Sequence, residues 1–512
     1  MKKIYNYNYL FYILCFLFGA LATFSITPYS LLPLIFMLGY GVFLISNLSC
    51  LKKTFLAGWF LGLGWFSFGL YWIGSAFFFS DALHQYLMPL SIIILPSFLA
   101  LFWALAFFLA RLLTPLNFSP LLLIIINLSL LEFCRAHIFT GFPWLMPSII
   151  LSSNIYLIQI FSFVGSFTGN LMVLLFSILP MILFSKFYKN KAPVFFIFVP
   201  ILILLYSSFY RYNNRNLIET NTNFSIILVQ PNINQKDKWD KNKRKYHLAK
   251  LVNLSKKKLE KSKKYKIIIW PETSFAGAIP NEKNLLSKFT KTIIKDQNTY
   301  LVLGLLSLKE KKVFNSLIFL NSSGNIEYKY DKLHLVPFGE YVPFRKYFNR
   351  IANLFSPTEF SPGILRKNIA LKGLGEILTL ICYEILFSNE VTKRTSKNTK
   401  LIINITNDAW FGRTVGPYQH FALSKIRSVE LGIPLARVAN TGISSVISPY
   451  GKEIVTIPLY EEGVIMIDSI PPLKQTMYKK FGEYIFIISI LFIMFINYSV
   501  FWNNKKENIN EK

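Results

Sequence analysis

Cysteine and histidine are scarce in this chain, with four cysteines and five histidines among 512 residues. The cysteines are Cys15, Cys50, Cys134 and Cys382, too far apart to indicate a disulfide framework or a zinc-binding spacing. No CxxC or HxxxH pair occurs, so the sequence gives no support for a metal site. We therefore expect no cofactor.

Acidic residues are also few, with 26 Asp and Glu against 55 Lys and Arg. The formal charge of +29 would suggest a nucleic-acid partner, but the basic residues are unevenly distributed. One run, 241–266, holds twelve basic residues and one acid, with Leu248, Leu251 and Leu254 at helical spacing. This pattern predicts an amphipathic helix whose lysine face is either solvated or in contact with anionic lipid headgroups, and no nucleic acid is expected.

Apolar side chains are abundant: 53% of the residues are hydrophobic and 17% are aromatic. A helix needs about 20 apolar residues to cross a bilayer. We predict spans near 9–25, 31–47, 55–79, 88–110, 119–134, 166–185, 193–210 and 484–502. This layout predicts a seven-helix bundle over 1–210, a water-soluble domain over 211–480, and a closing helix with its tail over 481–512.

Basic residues in short loops predict the orientation of a membrane protein. Here they fall at alternate ends of the spans, at Lys2, Lys3, Lys52, Lys53, Arg111, Lys186, Lys189, Lys191, Lys505 and Lys506. Both termini are therefore expected in the cytoplasm and the 211–480 domain on the opposite face. Segment 145–165 is apolar enough for an extra span. Two crossings there would put loop 186–191 outside, so we expect an interfacial or re-entrant segment.

Two features of the predicted bundle each allow two interpretations. The N-terminal lysines, the apolar stretch after them and "ALA" at 20–22 resemble a cleaved signal peptide, although a membrane-anchored first helix fits as well. Cleavage would not change the side of the later domain. Glu132, near the end of a span, is either a functional intramembrane charge or a partner of Arg135 in the headgroup layer.

Three strand-like segments of the soluble domain stop at chemically active side chains. They are "KIIIWPETSF" with Glu272, "IEYKYDKLHLVPFGEYVPF" with Lys332 and Glu340, and "ILTLICYEIL" with Cys382 and Glu384. Side chains at strand ends of an α/β sheet converge in a crevice. A carboxylate can act as base, a thiol as nucleophile and a lysine as stabiliser of an oxyanion. Together they form a complete set for acyl transfer without histidine.

The sequence around these residues resembles a known family. "WPETS" at 270–274, "DKLHLVPFGEYVPF" at 331–344, "CYE" at 382–384 and "NITNDAWFG" at 404–412 are similar to the nitrilase, or carbon–nitrogen hydrolase, superfamily. Within it the chain resembles the membrane-embedded branch, the apolipoprotein N-acyltransferases. The helix layout and "FTGFPWL" at 139–145 belong to the same pattern, so the resemblance covers nearly the whole chain.

The resemblance implies a fold and a set of site residues. The implied architecture is a polytopic bundle of about eight transmembrane helices plus a four-layer α-β-β-α domain in the periplasm, in the bacterial inner membrane. The implied triad is Glu272 as general base, Lys332 as oxyanion stabiliser and Cys382 as nucleophile. Further positions that act in or shape the family's pocket map onto Trp239, Asn315, Glu340, Tyr383, Glu384 and Trp410. Simple packing or ion pairing is the alternative role for several of them.

The reaction implied is a two-step acyl exchange. The Cys382 thiolate takes an acyl chain from a membrane phospholipid, and the thioester then acylates the α-amino group of the diacylglyceryl-modified cysteine of an apolipoprotein. One alternative is a membrane-tethered amidase or nitrilase in which water is the acceptor. The other is a membrane scaffold or transporter without catalysis. The many predicted helices favour the transferase, because a water-soluble amidase needs no such platform.

The loop charges predict the activity of reporter fusions. A reporter enzyme that works only outside the cytoplasm should be active when fused near residue 300, because the 211–480 domain is expected on the non-cytoplasmic face. The same reporter fused near residue 188 is the matched control and should be inactive. Inactivity at the first position with activity at the second would reverse the predicted orientation.

Overall fold

The computed structural model describes residues 8–79, 85–114, 119–184, 192–215, 221–259, 265–343, 345, 359–473 and 475–510. It divides into two compact units. The helical unit comprises Met1–Gly74, Met88–Asn214 and Thr476–Lys512, and the sandwich unit comprises Ser75–Leu87 and Arg215–Gln475. Of the loop lysines that predict the orientation, Lys2, Lys3, Lys186, Lys189 and Lys191 lie outside the described residues.

Each apolar run predicted to span the membrane is largely helical in the helical unit. The helices, numbered along the whole chain, are α1 (Asn8–Ala22), α2 (Ile35–Ser46), α3 (Leu51–Leu70), α4 (Met88–Leu113), α5 (Pro120–Arg135), α6 (Ile160–Ser177), α7 (Leu179–Phe184), α8 (Ala192–Asn213), α13 (Met477–Phe481) and α14 (Tyr484–Asn510). A 3-10 helix, Tyr71–Phe79, follows α3 directly. The local apolar pattern therefore located the helices well.

Three helical segments in the described part of the chain are long and apolar enough to cross a membrane. They are Leu51–Phe79, Met88–Leu113 and Leu157–Ser177. Shorter apolar helices occur at Tyr9–Ser25, Leu32–Ser46 and Tyr484–Tyr498. By length and composition these segments fit a membrane protein, but the predicted number of eight spans is not confirmed.

The apolar segment 145–165 does not form one continuous helix. It contains 3-10 turns at Pro147–Ser153 and Leu157–Gln159 before α6 begins. The 3-10 helix is used in short pieces because its hydrogen bonds are less well aligned. Helix α6 starts six residues before the predicted span at 166, and it is interrupted at Gly165, whose φ is +73°.

Glu132 and Arg135 form a buried ion pair in α5, with Arg135 Nη2 2.5 Å from Glu132 Oε2. Trp103 Nε1 of α4 donates a hydrogen bond of 2.8 Å to Glu132 Oε1. Arg135 also donates to the backbone oxygens of Phe142 and Trp144. The pair therefore fastens the "FTGFPWL" segment to α5, and a buried charge pair of this kind needs these extra hydrogen bonds to be tolerated.

The sandwich unit contains two β-sheets. The first has the order β13-β1-β2-β4-β5-β6, with β3 paired to β4, and the second has the order β12-β11-β10-β9-β8-β7. The strands are β1 (Asn221–Gln230), β2 (Tyr265–Ile269), β3 (Ala278–Ile279), β4 (Thr299–Lys309), β5 (Lys312–Leu320), β6 (Ile326–Asp331), β7 (Ile369–Leu371), β8 (Gly375–Ile381), β9 (Thr399–Thr406), β10 (Leu435–Ala439), β11 (Ser444–Ile447), β12 (Glu453–Ile457) and β13 (Gly463–Ser469). Strands β1, β2 and β4 run parallel, as do β8, β9 and β10.

Alternate side chains of the strands build separate layers of core. Ile226 and Leu228 of β1 belong to the same apolar cluster as Ile403 and Ile405 of β9, so this cluster lies between the two sheets. Ile227, between them in sequence, faces the other way because side chains alternate along a strand.

Helices cover the outer faces of the sheets. They are α9 (Arg244–Lys256) and α10 (Lys283–Ile293) on the first sheet, with α11 (Ser388–Arg394) and α12 (Gly416–Leu431) following β8 and β9 of the second. Helix α12 packs against β10. The unit is thus an α-β-β-α sandwich, as implied. The helix predicted within 241–266 is confirmed as α9, and its three predicted leucines are buried.

Two glycines of the helical unit allow a matched test of its packing. Gly165 and Gly482 have φ of +73° and +55°, and a side chain in this region costs about 1–2 kcal/mol. A Cβ on Gly165 would lie 2.2 Å from the Tyr478 ring, whereas nothing lies within 4 Å of one on Gly482. Thermal unfolding in detergent should therefore show a larger fall in Tm for Gly165→Ala than for Gly482→Ala. Equal falls would contradict this packing.

Candidate active site

The three residues predicted to act together stand just beyond the ends of three strands. Lys332 follows β6 and Cys382 follows β8 directly, and Glu272 comes three residues after β2. Strands β2 and β6 belong to one sheet and β8 to the other. Glu384 Oε1 accepts a hydrogen bond of 2.8 Å from the Leu333 backbone, which joins the segment after Cys382 to the segment after Lys332. Asn315 joins Glu340, the ion-pair partner of Lys332, to Glu272, so the fold brings these residues from two sheets into one site.

A hydrogen-bonded chain links the buried carboxylates to Lys332. Asn315 of β5 donates through Nδ2 to Glu272 Oε1 at 2.7 Å and to Glu340 Oε1 at 2.9 Å. Lys332 Nζ lies 2.8 Å from Glu340 Oε2, which also accepts from the Val336 backbone at 2.8 Å. Buried charges are tolerated when they are paired and hydrogen-bonded. Asn315 and Glu340 therefore hold the two charged members of the predicted triad.

The charges along this hydrogen-bonded chain determine the protonation states of Lys332 and Glu272. Burial lowers the pKa of Lys332, but the charges of Glu340 and Glu272 outweigh burial, so the pKa is raised and the ammonium stays charged. Burial raises the pKa of Glu272, and the Glu340 charge adds to this effect, whereas Lys332 and Asn315 oppose it. A carboxylate with a raised pKa is a stronger proton acceptor, which suits a general base.

Cys382 occupies a strained turn at the end of its strand. Its φ is +51°, in the left-handed region that residues with side chains rarely adopt. Loss of solvation raises the pKa of the thiol, and the Glu272 charge raises it further, while Lys332 lowers it. The thiol therefore stays protonated at neutral pH until a base removes its proton, and Glu272 is the carboxylate acting most strongly on it.

Glu384 is buried, and its carboxylate accepts hydrogen bonds from several directions. Oε1 accepts from Tyr330 Oη at 2.5 Å and from the Leu333 backbone at 2.8 Å. Oε2 accepts from the Ile381 backbone at 2.7 Å. Glu384 therefore connects the segment after Lys332 to the Cys382 turn.

The three aromatic residues predicted to shape the pocket have different environments. Tyr383 is 4% exposed and packs edge-on against Phe387, with ring centroids 5.1 Å apart. Trp239 and Trp410 are 45% and 38% exposed, and Trp410 makes an edge contact with Phe79 at 6.1 Å. Tyr383 thus belongs to the core beside Cys382, and the two tryptophans lie at the surface.

Lys238 is a residue of the site that the sequence did not indicate. It is buried, and Nζ donates a hydrogen bond of 3.1 Å to the backbone oxygen of Glu272. Burial lowers the pKa of Lys238 to about 8, although Glu272 and Cys382 act in the opposite direction. A lysine within "QKDKWD" looks like any solvated lysine, so its burial depends on tertiary structure.

A second unpredicted group lies behind Cys382. Among the described residues, Cys382, Asp408 and His420 place potential metal-ligand atoms within 4.8 Å of one another. Asp408 Oδ2, however, lies 2.6 Å from Arg437 Nη2, whose positive charge opposes a cation at this position. We therefore assign no metal role to the group. Asp408 lies within the "NITNDAWFG" motif, but His420 and Arg437 are isolated in the sequence.

Comparison with known proteins defines the class of the sandwich unit. Residues 226–471 match the family described as "Carbon-nitrogen hydrolase". An amidase from Nesterenkonia AN1, of the nitrilase superfamily, has a solved structure covering 54% of this chain and 99% of its own, with 18% identity and a TM-score of 0.38. The family match and the α-β-β-α layers give the unit a nitrilase-like fold.

The remainder of the chain identifies the particular family. Residues 18–179 match the "Apolipoprotein N-acyltransferase N-terminal domain". Apolipoprotein N-acyltransferase of Rhodopseudomonas palustris is 30% identical over 509 residues, covering 94% of each chain. The Brucella melitensis protein of the same name is 31% identical over 477 residues, covering 89% of each chain. The chain belongs to the apolipoprotein N-acyltransferase family, as the sequence motifs predicted.

Replacing Asn315 should change the pH at which Cys382 reacts. Asn315→Leu removes an amide that lowers the pKa of Glu272, so that pKa should rise and the loss of reactivity in acid should begin at a higher pH. The measurement is the rate of Cys382 alkylation across pH, followed by mass spectrometry. Asn325→Leu, at an exposed site on the turn after β5, is the control. If the alkylation rate of Asn315→Leu falls in acid at the same pH as that of the wild type, the Asn315 amide does not affect the pKa of Glu272.

Proposed function

We propose that this protein transfers a fatty acyl chain from a membrane phospholipid, through a thioester on Cys382, to the α-amino group of the diacylglyceryl-cysteine of apolipoproteins. The observation that carries the proposal is the convergence of Glu272, Lys332 and Cys382 from two sheets, with Lys332 buried and ion-paired. Family membership supports N-acyl transfer as the class of reaction. The last step of lipoprotein maturation is the corresponding cellular role.

The first half-reaction begins with proton transfer from the Cys382 thiol to Glu272. Sγ attacks the ester carbonyl of the phospholipid, and Lys332 stabilises the oxyanion of the tetrahedral intermediate. The intermediate collapses to the thioester, and Glu272 returns its proton to the departing oxygen. A lysophospholipid leaves, and the protein holds the acyl chain.

The second half-reaction repeats this sequence with an amine as the nucleophile. The α-amino group attacks the thioester carbonyl, Lys332 again stabilises the oxyanion, and Glu272 accepts a proton from the nitrogen. The carbon–sulfur bond breaks, Cys382 regains a proton from Glu272, and the product is an amide. A thioester is a suitable intermediate because it is activated towards an amine.

The remaining predicted residues take supporting parts in this proposal. Glu340 and Asn315 orient the charged members, as their hydrogen bonds to Lys332 and Glu272 suggest. Glu384 and Tyr383 support the Cys382 turn from within the core. Trp239 and Trp410 are exposed aromatic side chains suited to contact with acyl chains, and we propose them as pocket residues.

The setting of the reaction is part of the proposal. We propose a membrane bundle over 1–210, a catalytic domain over 211–480 and a closing helix over 481–512, in the bacterial inner membrane. Both termini would lie in the cytoplasm and the catalytic domain in the periplasm, as the loop charges predict. Both substrates carry acyl chains that reside in the bilayer, so a membrane protein suits them. Apolar surroundings would also limit hydrolysis of the thioester.

Incubation with phospholipid labelled in its acyl chain tests the proposal. The label should appear on the Cys382 peptide and pass to a diacylated lipopeptide with a free amine. Glu272→Gln should slow labelling by about 10²- to 10⁴-fold, because a general base contributes that much. Glu327→Gln, at an exposed carboxylate of β6, is the control and should label normally.

The competing activities predict different products. A hydrolase with the same triad would release ammonia from small amides and give no transfer to the lipopeptide. A scaffold or transporter would retain its cellular role in Cys382→Ala and Lys332→Ala. Label that never reaches Cys382 in the intact protein, under conditions where apolipoproteins are acylated, would refute the thioester route.

A further inference from the structure

The backbone carbonyl of Cys382 faces two buried donors from different elements. His420 Nε2 of α12 lies 3.3 Å from this oxygen, and Asn404 Nδ2 of β9 lies 3.5 Å from it. Both residues are fully buried. The carbonyl belongs to the residue with φ of +51°, so these contacts hold the strained turn at the nucleophile itself.

The same two residues are joined behind the turn by an ion pair. His420 Nδ1 lies 2.9 Å from Asp408 Oδ1, and Asp408 Oδ2 lies 2.6 Å from Arg437 Nη2. Arg437 Nη1 donates to Asn404 Oδ1 at 2.7 Å. The contacts therefore close a ring from the Cys382 carbonyl through His420, Arg437 and Asn404 back to that carbonyl, with Asp408 paired to Arg437.

Burying the charges of this ring costs hydration free energy, which indicates that the ring has a functional role. Burying an ion pair gives little net stability, because both charges lose their hydration. Here Asp408 and Arg437 are fully enclosed, and Thr406 Oγ1 donates to Asp408 Oδ1 at 2.9 Å. One end of this rigid assembly meets the residue that carries the reactive sulfur. A purely structural ion pair would have no need of that position.

Hydrogen-bond geometry assigns a role to each imidazole nitrogen. Arg437 Nη2 lies 3.0 Å from His420 Nδ1 and can donate to it, which leaves the proton of a neutral ring on Nε2. In this tautomer Nδ1 has no proton for Asp408 Oδ1, and Asp408 acts on the ring by holding Arg437 through Oδ2. Burial lowers the pKa of His420 and Arg437 lowers it further, while Asp408 opposes them, so the neutral form is favoured. An Nε2 proton is the one that can be donated to the Cys382 carbonyl.

We propose that His420, held by Arg437, which is itself paired with Asp408, is a positioning residue that fixes the left-handed Cys382 turn and so keeps Sγ in place beside Glu272 and Lys332. The inference rests on the proposed use of Cys382 as nucleophile, but not on the identity of the acyl donor or acceptor. His420 acts through the backbone of Cys382 and takes no proton from substrate.

Alkylation of Cys382 by iodoacetamide, measured across pH on the full-length protein by mass spectrometry, tests the proposal. His420→Phe removes the donor and should slow alkylation by about 10- to 100-fold, because a small misplacement of a reacting group has costs of this size. The fall in alkylation rate at acidic pH, which reflects protonation of Glu272, should also become less steep in this variant. The reason is that Sγ would no longer lie where Glu272 can take its proton. His420→Gln can donate from a similar position and should restore much of the rate.

Ser428→Ala is the matched control on the same helix. Its buried hydroxyl lies 2.7 Å from the backbone oxygen of Ile433 and 2.9 Å from that of Ser448, to which it can donate its one proton, so its loss should lower the Tm. Alkylation of Cys382 should keep its rate and its acid limb in this variant. The exposed thiol of Cys50 provides an internal reference for reagent and protein in every sample.

A wild-type rate and pH profile in His420→Phe would overturn the proposal, as would the same loss in Ser428→Ala. If His420→Phe fails to fold, His420→Gln and His420→Asn are compared, because only the longer amide reaches the Cys382 carbonyl. Equal rates in those two variants would overturn the proposal. The expected effects of the His420 variants on Cys382 alkylation, found together with no acyl transfer to the lipopeptide, would refute the proposed function. The positioning role of His420 would then still hold.

Discussion

A lysine ammonium buried among carboxylates is the interaction on which the site depends. Lys332 has almost no contact with solvent, and Glu340 lies 2.8 Å away. A buried charge without a partner would cost several kcal/mol. Glu340 stabilises that charge, and Asn315 joins Glu340 to Glu272. A fixed positive charge and a carboxylate with a raised pKa can therefore persist together in a protein interior.

The environment of the Cys382 thiol includes its own strained backbone as well as the side chains around it. The turn at Cys382 is held on one side by the Glu384 carboxylate, which accepts from Ile381, and on the other by donors to the Cys382 carbonyl. A left-handed conformation at a residue with a side chain persists only where its surroundings enforce it. The strained turn and the ring behind it can thus be understood as one arrangement for presenting the sulfur.

The helical unit also contains a buried ion pair next to a turn of its backbone. Glu132 and Arg135 neutralise each other and satisfy the backbone oxygens of the turn after α5. Such a pair maintains a bend in the chain where regular helical hydrogen bonds have ended.

The sequence alone determined what depends on local pattern: the apolar helices, the amphipathic helix α9, the strand ends carrying Glu272, Lys332 and Cys382, and the family. Periodicity and motif spacing are properties of neighbouring residues, so they can be read from the chain. Tertiary structure decided that Lys238 is buried and that Tyr383 lies in the core. It also decided which hydrogen bonds the Glu384 carboxylate accepts, and it formed the ring through His420 and Arg437. Within the apolar segment 145–165 it formed 3-10 turns at Pro147–Ser153 and Leu157–Gln159 before α6 begins at Ile160. These features arise from contacts between residues distant in sequence, and a lysine or histidine carries no local sign of the partners that the fold will bring to it.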